Sequence, residues 1–497
     1  MTTIHYLILF LGVGTLGIVN SSRAVEPQPN IVFFFVDDMG WQETSVPFHT
    51  EVTELNKRYH TPHMEKLARE GMKFTQAYAY AVCSPSRVSL MTGVNGARHQ
   101  VTNWTLRKNQ SPDPNHPKIA APMWNMNGLS DKAGVERSFV VETLPMRLKE
   151  AGYTTIHVGK AHFGAKDTPG AEPKNLGFDV NIAGHAAGGP GSYHGDKNFS
   201  AVWREGDEIW DVPGLEKYHG QKINLTEALT QEANQAIEEA VSEEKPFYLY
   251  LSHYTVHAPW EEDRRFYQKY LDQGLDEFSA MRASMIESMD HSLGDVLAKL
   301  KELEIEENTI VVFMSDNGAP KQVALNKPLR GHKLTPYEGG VRVPMIVKWP
   351  GVSAAGSVCE QYVMIDDVFP SFLEMAGVPS TKTDLDGKSW VPLVKGESID
   401  AENRAIVWHF PHTYDQYPYS SIRQGKWKLI YLHTDRIIEL YDLSEDISEE
   451  ENVASQYPEV VKELAGLLTN YLKEADAGMP LDKQTGKVVE YPAEIAL

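Results

Sequence analysis

Four apolar runs in this chain each end on polar residues that could do chemistry. Asp37 and Asp38 follow "NIVFFFV", and Asp316 and Asn317 follow "NTIVVFMS". Lys160 and His162 follow "YTTIHVG", and His257 follows "PFYLYLSHYTV". Asp37, Asp38, Asp316 and Asn317 are all hard oxygen donors. Without thiolate or imidazole they suit Ca2+, with Mg2+ the second choice, rather than Zn2+. Three carboxylates at one place repel one another, and a divalent cation is the economical compensation. A single Asp at a strand end is more often a turn or cap residue, so the two pairs together carry this reading. Lys160, His162, His257, Lys333 and Arg87 form the cationic counterpart. "VGKAHFG" spaces Lys160 and His162 two apart on an extended segment, so both can face one side. "LRGHKLTPYEGG" places Lys333 in a glycine-punctuated loop. Each alone is an ordinary surface lysine or packed histidine; gathered at one edge they make an anion pocket.

The elements that must position them are legible in the same runs. Segments 30–38, 153–160, 246–254, 308–318 and 343–351 are short, apolar and rich in β-branched and aromatic residues, as expected of buried strands in a parallel sheet. Helical patterns lie between them. "TPHMEKLAREGMKF" has a Thr-Pro start and a glycine stop. "SMIESMDHSLGDVLAKLKEL" spaces Met285, Met289, Leu293, Val296 and Leu300 along one helix face. This alternation predicts an α/β fold, in which ligands bind outside the carboxyl ends of the strands. Beyond about residue 400 the texture changes. Two short alternating strands with a turn at Gln-Gly, then the amphipathic "EVVKELAGLLTNYLKEA", predict a small antiparallel sheet plus helix. The expected organisation is a signal peptide over 1–24, a catalytic α/β domain over 25–400 and a C-terminal subdomain over 401–497. Stretches 98–135 and 165–220 read as long loops, which in a compact domain are usually functional.

Composition narrows the partners. The net charge of −21 over 497 residues argues against nucleic acid, which needs clustered Lys and Arg. An acidic chain that handles an anion must concentrate positive charge locally. The apolar run Tyr6 to Val19 is too short to span a membrane, and Ser22-Arg23-Ala24 offers small residues at a cleavage site. An exported protein without stable membrane insertion, periplasmic or secreted, is expected. The n-region "MTTIH" departs from the usual pattern in lacking Lys and Arg.

Cys83 is one of only two cysteines, and "CSPSR" opens a predicted helix, "SRVSLMTG". A helix N-terminus favours a bound anion and would lower a thiol pKa. Yet Ca2+ does not select sulfur, so an oxygen at this position would suit the acidic, hard-metal surroundings better. Pairing with Cys359 is the other use open to the thiol.

The Cys-x-Pro-Ser-Arg motif followed by "VSLMTG" resembles the signature of the formylglycine-dependent sulfatases. The resemblance runs through "NIVFFFVDDMGW", "GYTTIHVGKAHFG", "PFYLYLSHYTVHAP", "FMSDNG" and "LRGHKLTPYEGGVRVPMIVKWPG" to "SIRQGKWKLIY". It implies that a maturation enzyme oxidises Cys83 to formylglycine (3-oxoalanine), whose hydrate is the oxygen nucleophile. It implies that Asp37, Asp38, Asp316, Asn317 and the modified Cys83 hold one Ca2+, and that Arg87 balances the hydrate. Lys160 and Lys333 would bind sulfate oxygens, His257 would help protonate the leaving oxygen, and His162 would take a proton from the second hydroxyl. That second hydroxyl explains the aldehyde: its deprotonation expels sulfate without water attacking sulfur. With Cys83 a precursor, no disulfide to Cys359 is expected. The resemblance also implies an alkaline-phosphatase-like, mostly parallel sheet flanked by helices. One departure is Gly-His-Lys at 331–333, where the family often has Gly-Gly-Lys. "NWT" at 103–105, "WNMNGL" at 124–129, "GHAAGGPGSYHG" at 184–195 and "WHFPHTY" at 408–414 are similar to pocket-rim segments of bacterial carbohydrate sulfatases. They make Asn103, His185, His332 and His409 candidate substrate contacts, for an exo-acting enzyme on galactose- or N-acetylgalactosamine-sulfate. The rival readings are a phosphate or phosphonate ester hydrolase of the same superfamily, a cysteine hydrolase, and a non-enzymatic secreted glycan-binding protein.

Overall fold

The computed structural model describes residues 1, 28–323, 326–379, 385–400, 402–414 and 417–496. Tyr6–Val19 and Ser22–Ala24, which carry the signal-peptide expectation, lie outside the described residues. Among the described residues no helix is long and apolar enough to cross a membrane.

The centre is a nine-stranded sheet. Its strands are β1 (Asn30–Val36), β2 (Met72–Tyr78), β3 (Thr154–Gly159), β4 (Val180–Ile182), β5 (Phe247–Ser252), β6 (Thr309–Ser315), β7 (Arg342–Lys348), β8 (Ser357–Cys359) and β9 (Val363–Met364). The order is β8-β2-β7-β6-β1-β5-β3-β4, with β9 also pairing β2. β1 lies between β5 and β6, parallel to both. Every residue of β1 is buried, because helices cover both faces of the sheet. The period of two sends Phe33 and Phe35 into one apolar layer and Val32 and Phe34 into the other.

The sheet is mostly parallel as expected, but segment 343–351 is a correction to its reading as one of the parallel strands. β7 runs antiparallel to both β6 and β2. A strand buried on both faces shows a continuous apolar run whichever way it points, so its pattern carries no direction. β2 is a further strand that follows directly on the helix Pro62–Glu70. The described helices that matter below are α1 (Cys83–Thr92), α2 (Leu225–Ser242), α3 (Glu277–Glu302) and α4 (Pro458–Glu474). α3 buries Met285, Met289, Leu293, Val296 and Leu300, the face read from the sequence.

The C-terminal region forms four antiparallel strands rather than two: β10 (Ala405–Phe410), β11 (Tyr419–Gln424), β12 (Trp427–Leu432) and β13 (Ile437–Asp442). Leu429 and Leu440 pack there against Leu464, Leu468 and Leu472 of α4. The sheet is pinned to the main body by a buried charge cluster. Lys428 Nζ lies 2.9 Å from both Glu338 Oε1 and Glu449 Oε1, and Arg342 also reaches Glu338 at 3.2 Å. Burial and the neighbouring Glu338 push Glu449 up to about 7 even with Lys428 beside it. Lys428→Met would strip Glu449 of its cation and is expected to cost about 3 kcal/mol, read as a lower midpoint of thermal unfolding.

Candidate active site

The carboxyl ends of β1, β3 and β6 and the loop after β5 converge on the first turn of α1. Cys83 is the first helical residue of α1, and no side chain caps this end. Val82 and Cys83 line the pocket, so the positive end of the helix dipole lies beside it. The helix is wholly buried. Ser86 fixes its start by accepting the N–H of Tyr80 at 3.0 Å and donating to the Asp316 carbonyl at 2.6 Å.

Around Cys83 stand three buried carboxylates. Oxygens of Asp37 and Asp316 and the Cys83 sulfur lie within 4.8 Å of one another, as do atoms of Asp38, Cys83 and His257. Lys160 Nζ donates to Asp37 Oδ2 at 2.5 Å, and Lys333 Nζ donates to Asp38 Oδ1 at 2.5 Å and lies 3.4 Å from Cys83 Sγ. Asn317 Nδ2 donates to Asp38 Oδ1 at 2.7 Å. Arg87 grips Asp316 Oδ2 through Nε at 3.1 Å and Nη2 at 2.9 Å, while its Nη1 donates to Ser252 Oγ at 2.6 Å and the Lys160 carbonyl at 3.1 Å. Two oxygens in this ring, Asp37 Oδ1 and Asn317 Oδ1, are buried and accept nothing. Buried acceptors without donors are costly. Orphaned oxygens beside three carboxylates form a donor set that fits a hard divalent cation.

The backbone is bent to this purpose. Asp38 and His162 are left-handed, at φ 60° and 56°, and so is Leu334 beside Lys333, at φ 76°. Such conformations cost of order 1 kcal/mol each and persist only where the surroundings impose them. Arg282 of α3 does so for Asp38. It donates to the Asp38 carbonyl at 2.7 Å and the Val256 carbonyl at 2.6 Å, and it is itself held by buried Glu43 at 2.6 Å.

Electrostatics divides the groups. Burial pushes the Asp38 carboxyl up, but Lys333, His257 and Lys160 outweigh it and hold the group well below the carboxylate range. Burial and the charge of Asp37 lift Asp316 to about 6, against Arg87 and Lys160. Lys333 is held well above its ordinary value: burial opposes the charge, but Asp38 and Cys83 favour it more. Burial raises the Cys83 thiol, despite Lys160 and Lys333. A thiol kept protonated is a poor nucleophile. Burial first, then Lys333 and Lys160 against Asp38, hold His257 down at about 3. His162 is pressed well below its ordinary value by burial, then by Lys160 and Arg87.

The two histidines are oriented by carbonyls. His162 Nε2 donates to the Thr105 carbonyl at 2.8 Å, leaving Nδ1 as its free, unpartnered lone pair. His257 Nδ1 donates to the Ala258 carbonyl at 2.6 Å, leaving Nε2 3.8 Å from Asp38 Oδ2. Gly188 and Gly189 pack on these rings. A Cβ at Gly188 would sit 2.3 Å from His162 Cε1, and one at Gly189 2.7 Å from His257 Nδ1. Gly188→Ala is therefore expected to displace His162 and lower kcat about tenfold or more in steady-state turnover, with the overpacked ring costing about 1–3 kcal/mol of stability, read as a lower midpoint of thermal unfolding.

Residues 29–378 match the family model described as sulfatase. The chain belongs to the sulfatase family. As a sulfatase it is a sulfuric ester hydrolase, and a second family model, for the C-terminal part of N-sulphoglucosamine sulphohydrolase, matches residues 332–474. The sulfatase is 30% identical over 494 residues to a protein of Formosa agariphila named sulfatase, covering 88% of this chain and 86% of that one. It is 33% identical over 413 residues to the N-acetylgalactosamine-6-sulfatase of Mus musculus, covering 79% and 71%. Its fold matches the crystal structure of Ps i-CgsB with a TM-score of 0.73, 25% identity and coverage of 90% and 93%.

The structure brings ten of the sequence-derived residues together in this sulfatase: Asp37, Asp38, Cys83, Arg87, Lys160, His162, His257, Asp316, Asn317 and Lys333. Above them opens a pocket of about 380 Å3, lined among others by Trp104, Trp210, Trp260, Tyr414 and His332. Asn103 is buried beside Trp104 with Nδ2 unpartnered. His185 does not line the pocket; its carbonyl accepts the His162 N–H at 3.2 Å. His409 is a correction. It is 3% exposed and both ring nitrogens are used, by Ser420 Oγ at 2.8 Å and the Gly478 carbonyl at 3.0 Å, so it braces β10 instead of meeting substrate. Alternation along the strand turns it away from the pocket. Cys83 and Cys359 are both free. No local spacing in the sequence marks Arg282, Glu43, Ser252 or the three tryptophans individually. Arg282 is hidden because α3 reads as a simple amphipathic helix. Trp104 and Tyr414 do fall in the rim segments marked by their aromatic texture.

Proposed function

We propose that this sulfatase removes sulfate from a carbohydrate monoester, of the galactose- or N-acetylgalactosamine-sulfate type, at a chain end. The observation that carries the chemistry is the convergence of three buried carboxylates, Arg87, two lysines and two carbonyl-oriented histidines on Cys83 at an uncapped helix start. Two things support the sugar: the similarity to proteins named N-acetylgalactosamine-6-sulfatase, including a Bacteroides thetaiotaomicron enzyme 28% identical over 519 residues, and the aromatic lining of a pocket sized for a small saccharide. Export agrees with the apolar segment Tyr6–Val19 followed by Ser22-Arg23-Ala24.

In this reading Asp37, Asp38, Asp316, Asn317 and the converted position 83 would hold one Ca2+, which would supply positive charge at the site. Position 83, once converted to formylglycine by a maturation enzyme, supplies a hydrated aldehyde as oxygen nucleophile. Lys160 and Lys333 flank Cys83 and bind the sulfate oxygens, Lys333 as a firmly protonated cation. Their fixed charges stabilise the transferring group, usually the largest contribution to such a reaction. Arg87 is locked by Asp316 and Ser252 and keeps the base of the site in place. His162 presents its free Nδ1 as the base for the second hydroxyl. His257 presents Nε2 on the pocket side, where an incoming sulfate ester opposes the effect of burial and favours the protonated ring that can serve the leaving oxygen.

His257→Ala is expected to lower kcat for a sulfated sugar by about 100-fold or more. The loss should be much smaller for 4-nitrophenyl sulfate, whose phenolate leaves without a proton. An equal loss on both esters would remove His257 from this role. Turnover of sulfated monosaccharides alongside the matched phosphate esters tests the whole proposal; preference for the phosphates would favour the phosphoester reading.

A further inference from the structure

Beside the anion pocket a second group of buried polar side chains stands in a row. His412 Nδ1 lies 2.8 Å from Asp113 Oδ2, and its Nε2 lies 2.7 Å from Thr102 Oγ1. His412 is 0% exposed and Thr102 3%, so substrate does not reach either and a hydrolytic role for the row is excluded. A carboxylate can only accept, so Nδ1 carries its proton towards Asp113. The row is part of a larger clasp. Asp113 Oδ1 also accepts the Thr413 N–H at 3.0 Å, and Oδ2 accepts the Ser111 hydroxyl at 2.6 Å. Thr413 Oγ1 donates to the Pro114 carbonyl at 2.9 Å, and Trp124 Nε1 donates to Ser111 Oγ at 3.2 Å. Trp124 and Phe410 wall the imidazole edge to face, at 5.2 Å and 5.1 Å.

The row therefore joins two segments far apart in sequence, one from the loop after α1 and one after β10. Two residues beyond Thr102 comes Trp104, and two beyond His412 comes Tyr414. Both line the pocket, and their rings meet at 5.5 Å and 74°. Between Thr102 and Trp104 sits Asn103, with its buried Nδ2 unpartnered. The wall of the pocket built from both segments is thus backed by the His412 imidazole together with the Asp113–Thr413 and Thr413–Pro114 contacts.

We propose that His412 is a positioning residue for the leaving-group sugar: the Thr102–His412–Asp113 row holds Trp104 and Tyr414 as one rigid wall and so sets selectivity for the saccharide. The inference rests on the carbohydrate reading above. It assigns no contact with the reacting atoms to any member of the row.

The test uses the matured full chain and the variants Thr102→Val, Thr102→Ser and His412→Gln. Thr102→Val and His412→Gln should raise KM for the sulfated monosaccharide about tenfold with kcat nearly unchanged, because only uniform binding is lost. The inhibition constant of inorganic sulfate, which reports the anion pocket and not the aromatic wall, should not move. Thr102→Ser keeps the hydroxyl and should behave as wild type. An unchanged sugar KM in Thr102→Val and His412→Gln overturns the inference while leaving the carbohydrate reading intact. So does a sugar KM that worsens in step with the sulfate constant, since the row would then be a general support of the fold. Wild-type protein that hydrolyses 4-nitrophenyl sulfate but no sulfated sugar overturns both.

Discussion

A Cys83→Ala chain is expected to lose sulfate ester hydrolysis by a factor on the order of 10^4 or more, while still binding sulfated sugar. The reason is geometric as well as chemical. Position 83 is the one point on which the carboxylates, Lys333 and the start of α1 all close. Removing the side chain leaves Lys160, Lys333 and His257 in place, so affinity measured by calorimetry should survive while turnover does not. The same position makes a sharper prediction in the wild-type chain. Burial raises the thiol pKa, which leaves native cysteine a poor nucleophile here. Active protein should therefore carry a peptide over residues 80–87 whose mass reflects exchange of a sulfur and two hydrogens for one oxygen. Thiol-blocking reagents should not inhibit it. Fully active protein with an unmodified Cys83 would sink this mechanism and restore the cysteine-hydrolase reading.

Calcium removal should act on stability as much as on rate. Asp37 Oδ1 and Asn317 Oδ1 are buried without a donor, among three carboxylates. An ion that binds the folded chain and not the unfolded one stabilises it by about 2.7 kcal/mol at a concentration 100 times its dissociation constant. Dialysis against a chelator is accordingly expected to lower the thermal midpoint by several degrees and to abolish turnover. Ca2+ should restore both, and Mg2+ should do so less well, because an irregular shell of carboxylate and amide oxygens suits the larger ion. Asp316→Asn should shift the Ca2+ concentration needed for half-recovery upward by at least about tenfold, since it removes one charge from the donor set. A midpoint and a rate indifferent to chelator would mean that Lys160, Lys333 and Arg87 alone balance the acids.

What the amino-acid sequence determined by itself was the inventory and its placement. Asp37-Asp38, Lys160-His162, His257 and Asp316-Asn317 each follow a short apolar run rich in β-branched and aromatic residues that reads as a buried strand, and the carboxyl ends of parallel strands share one edge. The α/β class follows from the same alternation, and the Cys-x-Pro-Ser-Arg motif carried the resemblance to the sulfatases. The tertiary structure alone decided direction, support and rim. β7 is antiparallel, a direction its apolar run could not reveal because it is buried on both faces. His409 packs inward and Tyr414 lines the pocket, although both belong to one rim segment, because facing depends on where a strand ends and its partners lie. Arg282 holds Asp38, and His412 clasps Thr102 and Asp113, across separations that no local spacing reveals. Local chemistry is written in residue type and short-range period; long-range contacts arise only when the chain closes, and in this protein those contacts decide which of its many histidines and tryptophans face the ester.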